Sequence, residues 1–347
     1  MNKLLRTLAL LLVVGVPTSA SAALQQLTDL FVFGDSLSDG GNSGLLSQAA
    51  TAGLPGGPVT FPPPPYYNGQ YSNGPVAVEY LWNMYNPGNT SFGPSLAGGT
   101  NYAIGGATTG LESFNSVNPN VPAALQPVYA EKSNAWELAT FAAQSPVFDP
   151  ATSLFVVWLF PNDLFYADTT GTLPGTVPGS SGGANLISNG VANIVATVQT
   201  LAAAGAQHVL VPNMPDLGQT PAFLGNAGVS GLSALFNASL ALAMNSLDAA
   251  LPSTEIVQFD TAAALNDIIA NKSAYGFDVA DRACVDNLLN GQCNPATWMF
   301  WDGVHPTTRT HEILAARFYA AVPEPSAILL FAIGLFGLVV TGRRKAP

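Results

Sequence analysis

The chain runs to 347 residues with 34 glycines, 27 prolines and only 9% charged residues, while 48% are hydrophobic, which describes a loop-rich globular protein with a sizeable core. The formal charge is −11, and setting aside the charges at the two ends leaves five basic residues against twenty acidic ones, a net charge of −15. A surface of that sign repels phosphate backbones and excludes nucleic acid as a partner.

At the N-terminus, Lys3 and Arg6 precede an apolar stretch from Leu8 to Val16 and then Ala20-Ser21-Ala22. Charged, apolar and small-residue segments in that order predict a secretory leader over 1–22, cut after Ala22. The body, 23–321, alternates apolar runs with helical patterns. Strands are predicted at 30–33, 101–104, 153–159, 208–212 and 255–259. Helices are predicted at 76–84, 135–143, 186–204, 232–250, 261–271 and 307–321. Near-continuous apolar strands separated by helices imply a parallel sheet covered on both faces, an α/β fold. Sites in such sheets form at the carboxyl ends of the strands. Ser36, Gly105-Gly106 and Asn162 each follow a predicted strand at that edge.

Two loops are rich in turn formers. Pro55 to Pro65 should be an extended, rigid surface loop beside Ser36, and Thr170 to Gly183 a rim over the site. Cys284 and Cys293 flank Asn290-Gly291-Gln292. In an exported protein two nearby cysteines predict a disulfide, here steadying the segment before Asp302. His208, His305 and His311 show no metal-ligand spacing with each other or with the cysteines, so neither a metal nor a cofactor is implied. After 321 come Val322-Pro323-Glu324-Pro325-Ser326, an apolar run over 327–340 and Gly342-Arg343-Arg344-Lys345. The apolar run is at the short limit of a membrane span, about 17–25 residues. The basic cluster would stay cytoplasmic, leaving the body outside.

Ester hydrolysis at a serine requires an exposed hydroxyl, a base within hydrogen-bond reach and donors for the developing oxyanion. Phe33-Gly34-Asp35-Ser36-Leu37-Ser38-Asp39 places a serine on the turn leaving the first strand, with Asp35 and Asp39 bonding to nearby amides. Asp302-Gly303-Val304-His305-Pro306 offers a carboxylate and an imidazole three residues apart, so the carboxylate can take Nδ1–H and leave Nε2 for Ser36. Ser36, His305 and Asp302 are therefore the candidate nucleophile, base and orienting acid.

These blocks, with Asn101-Tyr102-Ala103-Ile104-Gly105-Gly106-Ala107-Thr108 and Pro161-Asn162-Asp163 between them, fall in the order of the GDSL-type, or SGNH, hydrolases. Tyr71-Ser72-Asn73-Gly74-Pro75 and Phe300-Trp301 also resemble that family's flanking sequence, so the resemblance spans about residues 29 to 320. It implies a three-layer α/β/α sandwich resembling flavodoxin. It also implies an oxyanion hole made of the Ser36 amide, the Gly106 amide (with Gly105 as rival) and the Asn162 side chain. The third block of the family usually opens with glycine two residues before the asparagine, where this chain has Phe160. Phenylalanine there should strain a positive φ and add bulk that narrows the acyl site or shifts the Asn162 donor.

The tail at 322–347 resembles the PEP-CTERM sorting signal of Gram-negative bacteria. That resemblance implies transient membrane contact, exosortase processing and delivery to the cell surface or exterior. The combined expectation is an exported serine esterase or lipase acting on ester or lipid substrates. The alternatives are a non-catalytic surface or matrix protein on the same fold, or an acyltransferase or carbohydrate deacetylase.

Overall fold

The computed structural model describes residues 24–322 apart from Gln25 and Leu289. The expected leader and the tail beyond residue 322 lie outside the described residues. Four parallel strands, β1 (Asp29–Gly34), β2 (Ser153–Trp158), β3 (His208–Pro212) and β4 (Glu255–Phe259), lie side by side in that order. Segment 101–104 flanks β1, donating from Tyr102 N–H to the Val32 carbonyl at 2.8 Å and from Ile104 N–H to Gly34 at 3.1 Å. Expected as a full strand, it forms a ladder bridge to β1 only at Asn101, keeps the single further bond from Ile104, and leaves the sheet at Gly105, whose amide turns to the Asp39 carboxylate. With this segment counted second in chain order, the spatial order is 2-1-3-4-5, the doubly wound order of flavodoxin. Its switch point lies between β1 and β2, the strands that lead to Ser36 and Asn162.

The helices in chain order are α1 (Asn42–Thr51), α2 (Ala77–Tyr85), α3 (Gln126–Tyr129), α4 (Asn134–Gln144), α5 (Pro161–Thr170), α6 (Leu186–Ala203), α7 (Ala227–Ala250), α8 (Thr261–Ala270), α9 (Val285–Leu288) and α10 (Thr308–Ala321). Side chains alternate across each strand, so both faces need cover. Leu30, Val32, Val156 and Trp158 meet α2, α8 and α10 on one face. Phe31, Phe33, Phe155 and Val157 meet α4, α6 and α7 on the other. Each fully buried large apolar side chain contributes about 1.5–3 kcal/mol, so the two layers supply most of the driving force. The fold is the three-layer α/β/α sandwich.

A second, two-stranded parallel sheet, unforeseen from the sequence, pairs β5 (Val279–Ala283) with β6 (Trp298–Phe300) just before Asp302. Cys284 and Cys293 are disulfide-bonded across the connection, with Cα atoms 5.3 Å apart, and Cys284 is buried against Trp298 and Trp301. The Thr170 to Gly183 loop does not form the expected rim: none of its residues lines the cavity at Ser36. It is tied down instead, Pro174 O accepting from the Leu111 and Glu112 amides and Gly175 O from the Asn189 and Asn193 side chains.

Candidate active site

The turn after β1 is built by the Asp35 main-chain carbonyl and by the Asp35 and Asp39 carboxylates. Asp35 O accepts from Ser38 and Asp39 N–H at 3.0 and 2.9 Å, and Asp35 Oδ1 from Leu37 N–H at 2.9 Å. Asp39 accepts from Gly41 N–H at 2.8 Å and Gly105 N–H at 2.8 Å, linking the turn to the start of α1 and to the second motif. Glu137 of α4, which the sequence does not single out, reaches in to accept from Gly34 N–H at 3.0 Å. Ser36 is left at the cavity floor with 8% of its surface exposed.

The base loop closes on itself. Trp301 N–H donates to His305 O at 2.7 Å, and Asp302 Oδ1 accepts from the Val304 and His305 amides at 2.9 and 2.8 Å. His305 Nδ1 lies 2.7 Å from Asp302 Oδ2, and Nε2 lies 2.7 Å from Ser36 Oγ. The carboxylate fixes the tautomer with hydrogen on Nδ1, so Nε2 is free to accept from the serine. Burial pushes the Asp302 carboxyl up, but the neighbouring His305 and the amides of Val304 and His305 outweigh it and hold it below the ordinary range. Segment 71–75 clasps this loop to the nucleophile half. Ser72 Oγ donates to Pro306 O at 2.9 Å, Asn73 Oδ1 accepts from Thr308 N–H at 2.9 Å, and the Tyr71 ring sits 5.2 Å from the His305 ring.

Gly106 has φ +84°, and a Cβ there would run into Asn115, so only glycine fits. Asn115 Nδ2 in turn donates to Gly105 O at 2.8 Å and Tyr71 OH at 2.7 Å, fixing the turn from below. The Gly105 amide is taken by Asp39, whereas among the described residues neither the Ser36 nor the Gly106 N–H has an acceptor. Asn162, at the start of α5, gives one amide hydrogen to Ala107 O at 3.1 Å and lines the cavity beside Ser36 and Gly106.

Phe160 does occupy positive φ, at +123°. Its ring does not narrow the cavity, contrary to expectation: it points into the core and stacks on Phe236 with ring centroids 3.6 Å apart. Gly190 of α6 makes the room, since a Cβ there would overlap the Phe160 ring.

Ser36, Gly106, Asn162, Asp302 and His305 thus meet at one cavity of about 760 Å³. Phe61, Pro62 and Pro63 of the proline-rich loop form one wall, as expected of a rigid loop beside Ser36, and Phe114, Phe165 and Phe223 another. Behind the turn, burial pushes the Asp35 carboxyl up to about 7, and Glu137 is also raised well above the usual range by its burial. Tyr66, at the end of the proline-rich loop, donates to Asp302 Oδ2. No short motif marks Tyr66, Asn115 or Glu137, whose partners lie 236, 10 and 103 residues away in the chain.

Sandwich topology, a serine–histidine–aspartate chain of contacts and free amides at the same strand ends define an acylhydrolase-type site. The chain belongs to the GDSL-like lipase/acylhydrolase family, whose model matches residues 30–318, and the PEP-CTERM protein-sorting motif matches residues 321–345. It is 27% identical to a GDSL esterase/lipase of Arabidopsis thaliana over 329 residues, covering 85% of each chain. It is 29% identical to an uncharacterized protein in the trpE-trpG intergenic region of Pseudomonas putida, covering 90% of this chain and spanning 51% of that relative's length. The solved structure of Axe2, an acetylxylan esterase from Geobacillus stearothermophilus, superposes with a TM-score of 0.46 at 14% identity, over 87% of this chain and 97% of that one.

Proposed function

We propose that residues 23–321 form an exported serine esterase or lipase that hydrolyses carboxylic esters through an acyl-Ser36 intermediate. The observation that carries this reading is the contact of His305 Nε2 with Ser36 Oγ at 2.7 Å, with Asp302 behind it at 2.7 Å. His305 takes the Ser36 proton as Oγ attacks the ester carbonyl, and Asp302 stabilises the imidazolium that forms. The oxyanion lies among the Ser36 and Gly106 amides and the second Asn162 amide hydrogen. Such donors act where charge develops, each worth about 2.7–4 kcal/mol of barrier. His305 then protonates the departing alcohol, and a water activated by the same nitrogen releases the acid. The phenylalanines and prolines lining the cavity suit an apolar acyl chain.

Export fits the rest of the chain. We read 1–22 as a cleaved leader and 322–347 as a tail that contacts the membrane until an exosortase-type enzyme removes it, leaving the domain at the cell surface or outside. The PEP-CTERM match supports that reading. The test is turnover of nitrophenyl esters of graded chain length by purified 23–321. Ser36→Ala and His305→Ala are expected to lose it; undiminished hydrolysis by either would sink the proposal.

A further inference from the structure

The cavity does not end at the base loop. A second, more open groove of about 430 Å³ continues past it, and the two share Ala222, Asp286 and Gly303. The sill between them is made of small residues held edge to edge. Ala222 N–H donates to Gly303 O at 2.8 Å, and a Cβ on Gly303 would come within 3.1 Å of Ala222 Cβ. The walls differ in chemistry. Aromatic and proline side chains dominate the main cavity, whereas Asp281, Arg282, Asp286 and Asn287 edge the groove.

The direction of the groove matters because of how the proton balance closes. When the tetrahedral intermediate collapses, the bond from the carbonyl carbon to the alcohol oxygen breaks and the Ser36 ester remains. The proton first taken from Ser36 passes from His305 Nε2 to that oxygen. The alcohol must therefore lie on the side of the His305 loop, and Gly303, two residues before the base, is where the groove opens. The groove's charges decide what it accepts. Arg282 lies 3.6 Å from the Asp281 carboxylate and 5.2 Å over the Trp298 ring, so its charge is offset by its own neighbour. Asp286 has no hydrogen bond or ion pair among the described residues and is the free acceptor at the junction. Asn287, also at the groove edge, gives its side-chain amide hydrogen to Ala283 O at 2.8 Å. The Cys284–Cys293 disulfide closes the loop that carries both residues, so they are presented on a fixed wall.

We infer that this groove is the alcohol subsite of the enzyme and takes a neutral, hydroxyl-rich leaving group. Asp281 and Asp286 against the single Arg282 leave this lining net negative, which offers acceptors to hydroxyl donors and repels phosphate. The inference rests on the esterase reading of the same site and adds the class of alcohol to it.

The test holds the acyl group constant and varies the alcohol: kcat/KM for ethyl decanoate, 1-decanoylglycerol, a decanoyl sugar ester and decanoylcholine. The glycerol or sugar ester is expected to exceed the ethyl ester by about tenfold, the scale of a hydrogen bond to a charged acceptor. Which of the two is faster distinguishes a polyol from a sugar. In Asp286→Ala, a change at an exposed side chain, the ratio of polyol to ethyl ester falls by a similar factor, and Asp286→Asn recovers part of it. Ala222→Leu, which raises the sill, lowers the same ratio. Hydrolysis of the ethyl ester with no polyol preference, a preference for the choline ester, or an unchanged ratio in Asp286→Ala would each overturn the subsite while leaving the esterase reading intact. Failure of the wild type on all four esters would overturn both.

Discussion

The Tyr66 hydroxyl donates to Asp302 Oδ2 at 2.8 Å, the same oxygen that receives His305 Nδ1 at 2.7 Å. Tyr66 closes the proline-rich loop that walls the cavity, and its ring packs edge-on to Trp301 at 5.9 Å. One hydrogen bond thus ties the substrate wall to the acid behind the base.

Tyr66→Phe removes that bond and little else. A hydrogen bond to a charged group is worth about 1.5–3 kcal/mol, so kcat is expected to fall at least tenfold with KM nearly unchanged. Steady-state kinetics on one nitrophenyl ester decides it, and an unaltered kcat would show that Asp302 Oδ2 needs no donor besides His305.

Buried acids govern the response to pH. Burial pushes the Asp35, Glu79 and Asp163 carboxyls up to about 7, and raises Asp39 as well. These groups keep protons in the folded state that the unfolded chain would release, so their contribution is full below the ordinary carboxylate range and is lost as pH rises through about 7. Asp302, held low, works in the opposite direction and only at acid pH. The thermal midpoint is expected to be higher at about pH 5 than at about pH 8, with Asp35→Asn flattening the difference. A midpoint that rises between those two values would contradict the buried-acid account.

Phe160, Gly190 and Phe236 form one packed unit. Gly190→Ala should gain about 1 kcal/mol of helix propensity, yet the methyl overlaps the Phe160 ring, and overpacking costs about 1–3 kcal/mol. Phe160→Gly relieves the positive φ but empties the stack on Phe236. In the double variant the methyl has room, so the two changes should be non-additive by more than about 0.5 kcal/mol. A denaturation cycle that returns simple additivity would place the ring elsewhere.

Asn162→Ala is expected to lower kcat by about 10²–10³ through loss of an oxyanion donor, with the fold retained because only one side-chain bond, to Ala107 O, disappears. Gly106→Ala strains a φ of +84° and strikes Asn115, so it should lose both activity and stability. Wild-type turnover in Asn162→Ala would remove that side chain from the hole.

Local chemistry made much of this molecule legible in its sequence. The apolar runs at β1 to β4 and the serine and histidine blocks carry their own signals, and the structure brings the five candidate residues to one cavity. Helix α1, Asn42–Thr51, opens on Asn42-Ser43-Gly44, which reads as a turn, and is held by Asp39 and a bond from Asn42 to Asn101 O. The β5–β6 pair is short, and its Asp281-Arg282 step reads as loop. Thr170 to Gly183 has the composition of a free rim, but the carbonyls of Pro174 and Gly175 tie it beside the second motif. The fate of Phe160 depended on a glycine thirty residues further along, a contact that no local pattern encodes.

The most direct test of the central claim is intact-protein mass spectrometry after exposure to a fluorophosphonate. A single adduct that maps to Ser36, and is absent from Ser36→Ala and from His305→Ala, is the expected result. A folded wild-type protein that takes up no label, or carries it on another residue, would contradict the assignment of Ser36 as an activated nucleophile.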